Sequence, residues 1–225
     1  MTVLQDDRRE NFIRAQTARV HAPLVPEIAL HLAGDPIDLW GETEAFEAGS
    51  VLRPPPYWAF AWPGGQALAR YILDHPSEVS GKTVLDFGSG SGLVAIAAAK
   101  AGAYCACASE IDPLAITAIE LNALANGVFI EPLENDIIGA GARWDAVLAG
   151  DMWYERTLAG RLTEWLKAMV NAGVRVLVGD PGRNYFPSSV PGLSMMRLAT
   201  YTVPTSRDVE DKESRETSVY LLTAR

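Results

Sequence analysis

The chain has 225 residues, 48% hydrophobic and 21% charged, the balance of one globular domain able to bury roughly 70–75% of its unfolded surface. Its 19 basic and 28 acidic residues leave a net charge of −9, which repels a phosphate backbone and disfavours nucleic acid as a partner. No uncharged apolar run reaches the ~18 residues of a membrane span, and the opening residues are polar from residue 5 with no hydrophobic signal core, so the expected location is the cytoplasm, away from any membrane.

Residues 6–20 read as a short amphipathic helix with Phe12, Ile13 and Val20 on one side. Residues 23–51 are punctuated by Pro23, Pro26, Gly34, Pro36 and Gly41 and read as irregular. An aromatic, Pro-rich loop, Arg53-Pro-Pro-Pro-Tyr-Trp-Ala-Phe-Ala-Trp-Pro-Gly-Gly65, leads into a helix from Gln66 to about Asp74. From residue 83 strands and helices alternate. Strands are predicted at Thr83–Phe87, Ala103–Ser109, Phe129–Leu133, Asp145–Ala149 and Val174–Val178, with helices at Leu93–Ala101, Leu114–Ala125 and Leu158–Asn171. Apolar strands separated by amphipathic helices imply right-handed crossovers and a parallel sheet covered on both faces. Beyond Pro181, Met195–Val203 and Ser218–Thr223 read as an antiparallel pair at one end of that sheet. Cys105 and Cys107 lie two apart on a strand, unsuited to an ordinary disulfide. With only His21, His31 and His75 elsewhere they make a poor zinc site and read better as small buried hydrophobes, so no metal is expected.

The informative segment is Val84-Leu-Asp-Phe-Gly-Ser-Gly-Ser-Gly92, a buried strand ending in Asp86 followed by three alternate glycines and a helix start. Glycine lets backbone approach a ligand where a Cβ would collide, and the helix start presents unpaired N–H groups. Such a loop suits a nucleotide-like ligand with a carboxylate, or the pyrophosphate of a dinucleotide. The dinucleotide fingerprint fails from Gly88, whose sixth position is Leu93; from Gly90 it matches formally at Ala95 but leaves Asp86 and Gly88 unused. The Gly-Lys-Ser/Thr ending of a phosphate loop is absent. Glu110, 18 residues after Gly92 at the next strand end, is placed to accept bonds from both hydroxyls of a ribose. Asp112-Pro113 reads as a helix cap. Asn135-Asp136, at the third strand end, could bond the exocyclic amine of adenine.

The ordered set of Asp86-x-Gly88-x-Gly90-x-Gly92, Glu110 and Asn135-Asp136 resembles the class I S-adenosylmethionine-dependent methyltransferases, over about residues 60–225. The resemblance implies a Rossmann-like, doubly wound α/β fold with a seven-stranded, mostly parallel sheet and an antiparallel C-terminal strand. A methyltransferase domain then spans 61–225, with an N-terminal extension over 1–60 packed on it. It implies S-adenosyl-L-methionine as cofactor, held by Asp86, Gly88, Ser89, Gly90 and Gly92 of the loop, by Glu110 with Ile111, and by Asn135 and Asp136; Trp62 reads either as an aromatic pocket wall beside the adenine or as simple packing.

After the fourth strand, Asp151-Met-Trp-Tyr154 is similar to the Asp-x-x-Tyr/Phe motif of protein methyltransferases directed largely at lysine. The loop Pro56-Tyr-Trp-Ala-Phe-Ala-Trp-Pro-Gly-Gly-Gln66, with Val51-Leu-Arg-Pro-Pro before it, resembles the family that methylates lysines in the β-subunit of electron transfer flavoprotein; bacterial relatives of that family resemble the ribosomal protein L11 methyltransferases. The resemblance implies a folded protein substrate. Asp151 would border the cofactor and hold the incoming ammonium by a charge-assisted bond, with Trp153 and Tyr154 as walls of a lysine channel. The competing reading of Asp151 is a cap on the helix that follows. A small-molecule N-methyltransferase and a catalytically silent binding module stand as functional alternatives, the second opposed by the intact cofactor set beside Asp151 and Tyr154.

Overall fold

A computed structural model describes residues 2–34, 36–46 and 55–225; the Val51–Pro54 part of the loop resemblance lies outside them. The chain opens with α1 (Thr2–Gln16), a hairpin of β1 (Ala18–Ala22) and β2 (Val25–Leu32), and α2 (Pro36–Phe46). A single 3-10 turn at Tyr57–Ala59 precedes α3 (Pro63–Asp74). The alternating core follows: β3 (Thr83–Phe87), α4 (Leu93–Lys100), β4 (Cys105–Glu110), α5 (Pro113–Ala125), β5 (Glu131–Glu134), β6 (Ala146–Gly150), α6 (Arg156–Asn171) and β7 (Arg175–Asp180). Last come β8 (Leu193–Pro204), the short α7 (Arg207–Glu210) and β9 (Ser214–Ala224).

Seven strands form one sheet in the order β5-β4-β3-β6-β7-β9-β8. β3 to β7 pair in parallel, and β9 lies antiparallel between β7 and β8. The predicted C-terminal pair is thus present, but the last strand is inserted inside the edge. Strand alternation sends Val84, Ala106, Ala108 and Leu148 into an apolar layer with α3, α4 and α5. Leu85, Phe87, Val147 and Val178 enter a second layer with α6, whose Leu162, Trp165, Leu166 and Met169 are buried. Covered on both faces, the inner strands are mostly apolar, with Asp86, Ser109, Glu110 and Asp180 gathered towards their carboxyl ends, the pattern that made them legible. β5 sits at the edge, where Pro132 is tolerated because a proline cannot donate to a second neighbour.

The N-terminal segment departs from expectation. The helix ends at Gln16, and Val20 lies on a strand, 40% exposed. The segment expected to be irregular holds β2 and α2. β1 is exposed at four of its five positions, so little apolar alternation marked it, whereas Val25, Ile28 and Leu30 of β2 are fully buried. Two asparagines, Asn122 of α5 and Asn126 at its C-cap, secure the free edge of β2. Asn122 accepts from the His31 amide at 2.7 Å, and Asn126 both accepts from and donates to the Ala29 backbone at 3.1 and 2.7 Å. Asn122 also donates to the Ser91 carbonyl at 2.8 Å, which ties the extension to the glycine loop.

Candidate active site

The carboxyl ends of β3, β4 and β6 open into a cavity of about 420 Å³, a volume suited to a small cofactor. At its floor Gly88 and Gly90 adopt φ of +63° and +55°, a left-handed conformation that side chains rarely accept. A Cβ on Gly88 would collide with the Met152 side chain. Asp86 is buried and braces this loop: one oxygen accepts from the Ser89 hydroxyl at 2.5 Å and from the Ala95 amide at 3.0 Å. Burial pushes its carboxyl up to about 7 against those two bonds. Gly92 is the N-cap of α4 and offers no side-chain acceptor; with the Ala95 amide taken by Asp86, the Leu93 and Val94 amides are left to a ligand carboxylate.

Glu110 ends β4. Its Oε2 accepts from the Gly90 amide at 3.1 Å and its Oε1 from Ile111 at 2.7 Å, so the carboxylate is aimed by the loop it faces. Burial raises its pKa, and the backbone donors work against that rise. Oε1 also accepts the longer bond from the Asp112 amide at 3.4 Å, so Oε2 keeps the freer acceptor capacity for the ribose hydroxyls. Ile111 is 66% exposed at the cavity rim. Asp112 caps α5 by accepting from Leu114 at 2.9 Å, with Pro113 at the first helical position, as the Asp-Pro pair implies. Asn135 and Asp136 line the rim. Asp136 pairs with Arg161 at 2.5 Å and accepts from Ile138 at 3.0 Å, which together hold its carboxyl below the usual range. A glycine cradle, uncapped helix amides and a diol-accepting carboxylate fit S-adenosylmethionine.

The other wall is aromatic. Tyr57, Trp58, Phe60, Trp62 and Tyr154 line it. Tyr57 lies 5.8 Å from Trp62 and 5.3 Å from Tyr154, ring centre to ring centre. The Trp62 indole donates to the Tyr57 carbonyl at 2.8 Å, which fixes the plane of its ring. Desolvation pushes the Tyr154 hydroxyl up to about 12, so it stays protonated across the neutral range.

Asp151 follows β6 in a left-handed conformation, φ +58°, rare for a residue with a side chain and a form of strain concentrated at functional sites. It is buried, and both oxygens are engaged. Oδ2 accepts from the Gly65 amide at 3.0 Å, in the first turn of α3. Oδ1 accepts from Nη2 and Nε of Arg183 at 2.6 and 2.9 Å. Burial raises the Asp151 pKa and the Arg183 charge opposes it. Arg183 in turn bonds Glu210, which also holds Arg215 at 3.0 Å. Burial works against the guanidinium charge, but Asp151 and Glu210 hold it firmly protonated. Asp180, at the end of β7, accepts from the Gly182 and Arg183 amides at 2.7 Å each and so shapes the turn that aims Arg183 at the cavity.

One competing reading is removed and one expectation is corrected. Asp151 does not cap the following helix: Glu155 does, accepting from Thr157 and Leu158 at 2.7 Å each. Trp153 does not wall the cavity. It is 2% exposed, donates to the Thr163 hydroxyl at 3.1 Å and packs edge-on against Phe186. Met152 lines the cavity instead, because the backbone turn at Asp151 sends the next two side chains to different sides. Arg183, Met152 and Tyr57 were missed. Tyr57 sat in the quoted aromatic loop, but nothing in the order of residues marks Arg183, which arrives from beyond β7.

Comparison with known proteins gives the family. A family model for ribosomal protein L11 methyltransferase matches residues 67–150. The chain is 42% identical over 205 residues to the electron transfer flavoprotein beta subunit lysine methyltransferase of Danio rerio, covering 89% of this chain and 78% of that protein. Against the protein of the same name from Rattus norvegicus, identity is 43% over 184 residues, covering 80% and 71%. Among solved structures, a ribosomal protein L11 methylase from Lactobacillus delbrueckii subsp. bulgaricus superposes with a TM-score of 0.51 at 22% identity, covering 72% of this chain and 78% of that one, a likeness of fold. With a cavity built for S-adenosylmethionine and this degree of identity over most of its length, the chain belongs to the electron transfer flavoprotein β-subunit lysine methyltransferase family, S-adenosylmethionine-dependent enzymes that methylate protein lysines.

Proposed function

We propose that this enzyme methylates lysine side chains of the β-subunit of electron transfer flavoprotein, and that Asp151 and Tyr154 form the end of its lysine channel. The identity to relatives bearing that name, over most of the chain, carries the substrate reading. S-adenosylmethionine supplies an activated sulfonium methyl, which leaves the protein chiefly the work of alignment and exclusion of water. In this reading the glycine loop and the start of α4 hold the carboxylate end, Glu110 the ribose, and Asn135 and Asp136 the adenine, with Trp62 against the site.

The lysine amine enters protonated near neutral pH and must lose a proton before its lone pair can attack. Asp151 serves as a fixed acceptor that orients this nitrogen. Its own charge is already balanced by Arg183, so it favours the ammonium less than a lone carboxylate would and does not hold the amine in its unreactive form. The proton leaves to water. The faces of Tyr57 and Tyr154 favour a cation at the channel mouth. We also assign the enzyme to the cytoplasm, a location suited to the free thiols Cys105 and Cys107.

The test is incubation with labelled cofactor and purified flavoprotein, followed by peptide mass spectrometry. Methyl groups on β-subunit lysines are the expected result. An unlabelled β-subunit alongside a labelled protein from a lysate overturns the substrate reading and leaves the family chemistry intact.

A further inference from the structure

At the opposite end of β4 from Glu110, three donor atoms converge. Cys105 and Cys107 project from the same face of β4, and Glu131 stands opposite Cys107 on the edge strand β5. The two sulfurs are 3.8 Å apart, and Oε2 of Glu131 lies 3.5 Å from the Cys105 sulfur and 3.7 Å from that of Cys107. With metal–sulfur bonds of about 2.3 Å and metal–oxygen bonds of about 2.1 Å, the edges of a tetrahedral site are about 3.8 Å between sulfurs and about 3.6 Å from sulfur to oxygen. The three atoms therefore already stand near three corners of such a tetrahedron.

We propose that Cys105, Cys107 and Glu131 bind one divalent thiophilic cation of the zinc and cadmium class, with solvent completing the coordination, and that the cation clips β4 to β5. Two thiolates select a soft metal over magnesium or calcium. Cys107 is buried among apolar side chains, Cys105 is half-buried and Glu131 is exposed, which leaves an approach from solvent on one side. The pair has no easy alternative as a disulfide: residues two apart on a strand hold their Cα atoms roughly 6.6 Å apart with parallel Cβ directions. Both thiols are free. Two metal–sulfur bonds thus form as two thiol protons leave to solvent. Linear sequence hid the site because the third donor comes from the neighbouring strand, 24 residues beyond Cys107.

Reduced, chelator-treated protein is titrated with cadmium chloride, following the thiolate-to-cadmium charge-transfer absorption and the metal retained after desalting. Zinc chloride is then added as competitor. One equivalent of cadmium, displaced by zinc and accompanied by a rise in melting temperature, is expected. Cys105→Ser should abolish the absorption, and Glu131→Gln should weaken binding at least tenfold. Both positions are solvent-accessible and lie outside the cofactor cavity, so both variants should keep wild-type methyl transfer, a check that they fold. Absence of the absorption at a tenfold excess of cadmium overturns the proposal. So does an absorption that survives Cys105→Ser, or an affinity unchanged by Glu131→Gln.

Discussion

Replacing Arg183 with methionine keeps most of the side chain's length and removes its charge. Asp151 then loses two charge-assisted bonds, at 2.6 and 2.9 Å, and keeps only the Gly65 amide. Removing one partner of a buried ion pair costs about 3–5 kcal/mol. A second route limits that loss: Asp151 can take up a proton, which at pH 7 costs about 4 kcal/mol for a group with an unfolded pKa near 3.9. The side chains are 17% and 8% exposed, and Glu210 retains Arg215, so the lower end applies, about 3 kcal/mol. The sign with pH follows from the direction of the shift. Burial already raises the folded pKa of Asp151, and without Arg183 it rises further. Relative to wild type the penalty is therefore smallest below the wild-type folded pKa and grows by about 1.4 kcal/mol per unit as pH rises from there towards the new, higher folded pKa. Urea denaturation of wild type and variant at pH 5 and pH 7 measures this difference directly. Methyl transfer should fall by roughly a hundredfold, since a few kcal/mol of orientation is lost, with cofactor affinity retained. A stability loss equal at both pH values, or full activity in the variant, refutes the account of Arg183 as the group that keeps Asp151 charged and aimed.

Glu110→Ala should weaken S-adenosylmethionine binding by about 1–3 kcal/mol through loss of the diol acceptor, and an unchanged affinity by calorimetry rejects the ribose assignment. Asp151→Asn keeps the shape but not the charge; because Glu155 caps α6, it should leave that helix intact and lower turnover by roughly a hundredfold, and a fully active variant removes Asp151 from substrate orientation. Trp153→Phe deletes the bond to Thr163 from a core position and should cost about 1 kcal/mol in denaturation with KM for the protein substrate unchanged. A raised KM would return Trp153 to the lysine channel.

What the sequence by itself determined is local or strictly periodic. Four buried parallel strands announce themselves as apolar runs between amphipathic helices, and β3 was located to the residue because both its faces are covered. The glycine loop, Glu110 and the Asp112-Pro113 cap were readable because each acts within its own strand end or the turn beside it. Tertiary structure decided whatever needed a partner from far along the chain. β1 was invisible since most of its side chains face solvent, and its hairpin is secured by asparagines of α5 and its C-cap, about 97 residues away in the case of Ala29 and Asn126. The direction of Trp153 depended on the left-handed turn at Asp151, a conformation that aspartate tolerates better than most residues but that its presence alone does not specify. The state of Asp151 was decided by Arg183, 32 residues on, whose charge is buried only because Asp151 and Glu210 meet it there. A charge can be counted in a sequence, but its desolvation and its counter-ion are properties of the folded neighbourhood, and those two quantities set what a carboxylate at a strand end can do.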